Sequence, residues 1–169
     1  TALKFAHSDG WRTDIERYAY VPRLQIHQIP ITVFSSANVR TMLEYGVIEE
    51  TKIALGRVHL FPVEEPAKKD MFGNMGRLRP IRYTDLINEH CGRDTLTPTD
   101  MATKQDILRF PQRARYAAQF DFSAYFDQFA LDEEVSQLMC FKKGRRLYRL
   151  TTLPMGQRHS VEIAQNATR

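Results

Sequence analysis

A chain of 169 residues, 43% of them apolar and 11% aromatic, carries enough hydrophobic side chain to build one core, which excludes a disordered tail or linker. Its 24 Lys and Arg against 20 Asp and Glu leave a net charge of +4, which suits a nucleic-acid partner without requiring one. Cys91 and Cys140 stand far apart with no paired metal-ligand spacing, and no apolar run approaches the ~18 residues that cross a bilayer, so the composition points to a soluble, intracellular protein with reduced thiols and no membrane partner, not to a zinc or disulfide framework.

Residues 1–34 mix aromatics, charges and prolines without a clear period and predict only short strands or loops. From Ser36, "SANVRTMLEYG" sets Val39, Met42 and Leu43 at helical spacing between a Ser start and Gly46 at the stop. "KIALGRVHLFPVEEP" then alternates Val58, Leu60 and Pro62 against His59, Phe61 and Val63, and "GRLRPIRY" alternates again. The Gly- and Asn-bearing "AKKDMFGNMG" between them predicts a β-ribbon with a long tip that carries Lys68, Lys69, Arg77, Arg79 and Arg82. Such a ribbon is either an edge kept soluble by its cations or a reader of phosphates.

"TDLINEH" reads as a helical turn capped by Thr84, and "TDMATKQDILRF" as a helix with Met101, Ile107 and Leu108 on one side. "YAAQFDF" is strand-like, "DEEVSQLMCF" a helix with acids at its positive end and Val135, Leu138 and Met139 on one face, and "FKKGRRLYRLTTL" a strand that turns at Gly144 and resumes. The order predicts an α+β class, or α/β with a largely antiparallel sheet. The chain starts at Thr1 and stops at Arg169 inside "SVEIAQNATR", helical in composition and without a stop signal, so it reads as a piece of a longer protein.

The stretch "FDFSAYFDQF" sets Asp121 and Asp127 among five large aromatics. A buried unpaired carboxylate costs several kcal/mol, so each acid needs a partner. Asp121 either caps a following helix or serves a chemistry, and Asp127 is expected to face solvent or pair with a nearby Arg or Lys.

Taken in order, four stretches resemble the reverse transcriptase family from about Val39 to Arg169. "VRTMLEYGVIEE" resembles the helix and turn that open the fingers, "KKDMFGNMGRLRPIRYTDLIN" the fingers ribbon, "FDFSAYFD" the first palm motif, and "LPMGQRHSVEIAQ" the LPxG motif with its later Gln. The resemblance implies an N-terminal extension or start of the fingers over 1–35, fingers over 36–115 and a partial palm over 116–169, ending before the YxDD hairpin. It implies an RNA-directed DNA polymerase that takes RNA template, DNA primer and dNTP, with two Mg²⁺, or Mn²⁺ in their place, stabilising the attacking and leaving oxygens.

On that resemblance Asp121 is the catalytic carboxylate and a metal ligand, joined by the backbone carbonyl of Phe122. Phe126, five residues on, closes the sugar pocket, unless a one-residue slip gives that place to Tyr125. Arg79, nine residues before Asn88, reaches the incoming triphosphate, with Lys68, Lys69 and Arg77 as further nucleotide-binding candidates. Gly156 lets backbone approach the nascent base pair, Gln165 matches the helix glutamine, and Gln157, Arg158 and Ser160 meet template phosphates at the start of the last helix, where ordinary helix-surface polarity is the competing reading.

Tyr83, Thr84 and Asp85 replace the family's usual residues after the ribbon, which leaves its internal ion pair there in doubt. The paired aspartates of the family's hairpin are not in the chain, so the chain alone is expected to be inactive. LPMG leans towards a DIRS-like or VIPER-like retrotransposon, whereas the spacing of "DFSAYFD" also fits group II intron or LINE-type enzymes. A non-catalytic nucleic-acid-binding scaffold with the same fold is the competing function.

Overall fold

A computed structural model of the chain describes residues 24–64, 78–90, 102–113, 115, 116, 118 and 122–167. Asp121, Lys68, Lys69 and Arg77 lie outside these residues, as do Met101, Cys91, residues 1–23, the ribbon tip and most of "YAAQFDF".

The first helix, α1 (Ser36–Glu44), forms where expected: the Ser35 hydroxyl accepts from the Asn38 N–H at 3.1 Å, and the chain leaves through Gly46 at φ +67°. It leads into β1 (Ile48–Thr51). The ribbon follows as β2 (His59–Glu64) paired antiparallel with β3 (Leu78–Tyr83), in the register Leu60 opposite Arg82 and Val63 opposite Arg79. Val58 just before β2 and Leu60 within it are buried, while Phe61 and Val63 on the other face are 37% and 43% exposed, as the alternation predicts.

Two helices come next, α2 (Asp85–His90) and α3 (Lys104–Arg113). Thr84 precedes α2 and its carbonyl accepts from the Asn88 N–H at 3.1 Å, but its buried hydroxyl has no partner among the described residues, so the cap is made by backbone and not by the expected side chain. In α3 the expected apolar side is not buried: Ile107 and Leu108 are 62% and 57% exposed.

After a 3-10 turn at Tyr125–Gln128 comes α4 (Glu133–Ser136), then β4 (Cys140–Lys143), β5 (Arg146–Leu150) and α5 (Ser160–Ala167). α4 is much shorter than "DEEVSQLMCF" predicts. Val135, Leu138 and Met139 are all buried, but the chain bends after Ser136, whose hydroxyl donates to the Leu150 carbonyl, and enters the sheet at Cys140. β4 and β5 turn at Gly144, φ +59°, and β1 adds antiparallel to β5, giving the order β1-β5-β4. The expected α+β class with antiparallel sheets is the one observed.

The core joins residues from Phe34 to Ala164, with Phe141 stacked on Tyr148 at 5.6 Å, and each fully buried Leu, Ile or Phe contributes about 1.5–3 kcal/mol. Arg149 ties β5 to Glu49 of β1 and Glu133 of α4. Cys140 is a free thiol whose value burial pushes up to about 12, which leaves it unreactive at neutral pH. Among the described residues no helix is long and apolar enough to cross a membrane.

Candidate nucleic-acid interface

Three of the four stretches singled out by the sequence are tied to one another by side chains. Arg82, in the inward register beside Leu60, has a side chain only 10% exposed and pairs with the carboxyl of Asp127. The same carboxyl accepts from the Thr152 hydroxyl at 3.0 Å, just before "LPMG". Asp127 is therefore the paired acid its surroundings demanded, and it joins the ribbon, the aromatic stretch and the strand that leads into the loop.

A second clamp holds the loop itself. Asn88 of α2 donates from Nδ2 to the Gly156 carbonyl at 2.9 Å and accepts on Oδ1 from the Arg158 N–H at 3.0 Å, across 68 and 70 residues of sequence. Gly156 sits at φ +106°, a conformation that only glycine adopts without strain, while a Cβ there would meet nothing nearer than the Arg82 carbonyl at 3.8 Å. Backbone shape, not crowding, calls for glycine.

Beyond the loop, Gln157 and Ser160 turn inward, at 2% and 1% exposure. The Gln157 Oε1 accepts from the His159 N–H at 2.8 Å, and the Ser160 hydroxyl donates to the Pro154 carbonyl at 2.7 Å. Their expected contact with template phosphates is corrected here: both side chains are used to build the turn into α5, and Arg158 is the exposed member of the three. Gln165 lies half-buried farther along α5.

The aromatic stretch bends sharply at Ala124, φ 48° and ψ 44°, a left-handed position that costs a non-glycine residue about 1 kcal/mol. The bend brings Phe122, Phe126 and Phe129 around Tyr125, with ring centroids 5.3, 5.5 and 5.3 Å away. The Tyr125 hydroxyl donates to the Ala164 carbonyl of α5 at 2.8 Å, whereas Phe126 is half-buried against the core and Phe122 is 59% exposed.

Arg79 points the other way from Arg82, onto the outer face of the ribbon with Phe61, Val63 and Tyr83. Below it, Asp85 takes Arg57 at 2.7 Å and His59 at 3.3 Å. Burial pushes the Asp85 carboxyl up, but the hydrogen bonds from Arg57 and the Leu86 N–H and the nearby positive charges outweigh it and hold the group below its ordinary 3.8. The changed residues after the ribbon thus have an ion pair of their own. Arg82, Thr152 and Asn88 were not singled out for these contacts. Arg82 alone carried a signal, since it shares the inward register of Leu60.

Among the described residues no three acids, histidines or cysteines converge on a point that would hold a metal ion, and Asp127 is claimed by Arg82 and Thr152. These side chains do not by themselves fit a divalent cation.

No protein-family model and no curated protein matches the sequence. Solved structures do match. The foamy viral protease-reverse transcriptase dRH in complex with double-stranded DNA is 16% identical, at a TM-score of 0.59 over 88% of this chain and 25% of that one. Native Prototype Foamy Virus protease-reverse transcriptase is 22% identical, with a TM-score of 0.57 over 88% of this chain and 19% of its own. The foamy viral protease-reverse transcriptase in complex with dsDNA is 13% identical, at 0.54 over 91% of this chain and 36% of that one. At these identities the likeness is one of fold: the chain has a reverse-transcriptase-like fold and spans well under half the length of these proteins.

Proposed function

We propose that this chain is the fingers and first part of the palm of an RNA-directed DNA polymerase. The observation that carries the reading is the pair of clamps, Arg82–Asp127–Thr152 and Asn88–Gly156/Arg158, which draw together the ribbon, the aromatic stretch and the LPMG loop. These are the stretches that resemble the polymerase motifs, and the likeness to foamy virus enzymes supports the same arrangement.

In this reading RNA template and DNA primer lie over the outer face of the ribbon and the loop, where Arg158 meets phosphate and Phe61 and Tyr83 offer flat surfaces. Arg79, with Lys68, Lys69 and Arg77, takes the triphosphate of the incoming dNTP. Phe126 closes the sugar pocket, because the hydroxyl of its neighbour Tyr125 is held by α5. With Asp127 already paired, Asp121 and the Phe122 carbonyl are left to hold Mg²⁺ or Mn²⁺, which supplies charge at the transferring phosphate. Assignment to a DIRS-like or VIPER-like element rests on LPMG and the mixed character of the motifs.

Primer extension on an RNA template by the parent protein tests this. Asp121→Ala abolishes extension, Phe126→Ala admits ribonucleotides, and the 169-residue chain by itself binds primer–template without extending it. Binding by the parent protein with no extension, unchanged by Asp121→Ala, would replace the polymerase with a nucleic-acid-binding scaffold.

A further inference from the structure

The far end of the β4–β5 hairpin carries a feature the polymerase reading does not use. Between α1 and the turn at Gly144 lies an open cleft of about 470 Å³, lined by Arg40 of α1 and by Lys143, Arg145 and Arg146 of the hairpin. Among the described residues no acidic side chain lines it. Lys143 is steadied by donating to the Phe34 carbonyl, and neither Arg40 nor Arg145 has an ion-pair partner among the described residues. Arg146 reaches Glu50 at 3.6 Å, but with side chains 70% and 55% exposed, a pair worth about 0–1 kcal/mol that a competing anion opens readily.

Four cations held around one cleft repel one another, and an anion relieves that repulsion. Tyr148 is the aromatic of the lining, yet it is 4% exposed and stacked on Phe141, so no ring is offered to a base. What remains is a charged surface open at the side, suited to a chain of phosphates and blind to sequence. Arg146 stands six residues of extended chain before Thr152, about 20 Å at ~3.3 Å per residue, so the cleft is separate from the Asp127 junction.

We propose that this cleft binds the phosphodiester backbone of single-stranded nucleic acid through Arg40, Lys143, Arg145 and Arg146. The site deepens the polymerase reading by giving an unpaired strand a second hold, and it rests on that reading only in taking nucleic acid as the ligand.

The test is fluorescence anisotropy of labelled oligo(dT) with the whole chain at about 50 and about 200 mM salt. Replacing Arg40, Arg145 and Arg146 together by Ala is expected to weaken binding tenfold or more at the lower salt and to make the plot of log K against log salt shallower by roughly 0.7 per contact, about 2 in all. Replacing the same three by Lys keeps the slope, because charge count sets it, and Lys104→Ala with Arg109→Ala on the exposed α3 leaves binding unchanged. Equal slopes for the alanine and wild-type proteins, or loss of binding in the lysine variant, overturns the proposal. If the wild-type chain binds primer–template duplex but not oligo(dT), this inference alone falls; if it binds neither, the polymerase reading falls with it.

Discussion

Asp127 sits in an aromatic stretch where an unpaired carboxylate would be costly, and its partners give the physical reason it is tolerated there. Its carboxyl holds a nearly buried guanidinium and a threonine hydroxyl, so its removal strands Arg82 inside the protein. Asp127→Ala is expected to destabilise the fold by about 1–3 kcal/mol, read as a lower urea midpoint at unchanged m. Because most of that cost is the orphaned charge, the double variant with Arg82→Ala should lose less than the sum of the two single ones. Strict additivity would show that the pair is only a surface contact. The same scale explains Gln157 and Ser160. Polar type and helix-start position are visible in sequence, but whether such a side chain faces phosphate or folds back to build its own turn depends on the depth at which the turn sits.

At the scale of elements, local signals worked where local energies dominate. The Ser35 cap and Gly46 bound α1, period two marks the ribbon, and Gly144 turns the last hairpin. They failed where packing overrides them. α4 ends after one turn because Ser136 and the strand that follows are recruited by β5, and the apolar side of α3 stays exposed among the described residues. Gly56 shows how closely such packing is fitted. The Leu55 and Gly56 N–H groups both donate to the Gln137 carbonyl, and a Cβ on Gly56 would lie 2.2 Å from the Leu138 carbonyl oxygen, which is backbone and cannot swing aside. Gly56→Ala should therefore cost about 3 kcal/mol or more, against about 1–2 for Gly144→Ala, where the space is open and only the positive φ is strained. Thermal melts of the two variants check this, and equal melting temperatures would refute the close contact.

For the whole molecule, the ribbon joins the body through Val58 and Leu60 in the core and through polar ties, and the Arg57–Asp85–His59 cluster at its base responds to pH. Asp85 is held below its ordinary 3.8 in the folded chain, so its contribution is present above that value and is lost as pH falls through the folded value. The stability difference between wild type and Asp85→Asn is expected to be about 1 kcal/mol near neutrality and to shrink below pH 3.8. Urea midpoints across an acid series measure it, and a difference that stays constant with pH would assign the effect to packing.

The sequence by itself determined the class, the ribbon, the first helix and the last hairpin, because alternation, capping and turn glycines act within a few residues of one another. It also put the polymerase-like stretches in order along the chain. Only the tertiary structure decided which of their residues touch. Asp127 meets Arg82 across 45 residues, Asn88 meets Gly156 across 68, and Arg40 lines one cleft with the β4–β5 turn. Contacts of that range are set by how layers pack and how deeply each side chain is buried, quantities that no local run of residues encodes.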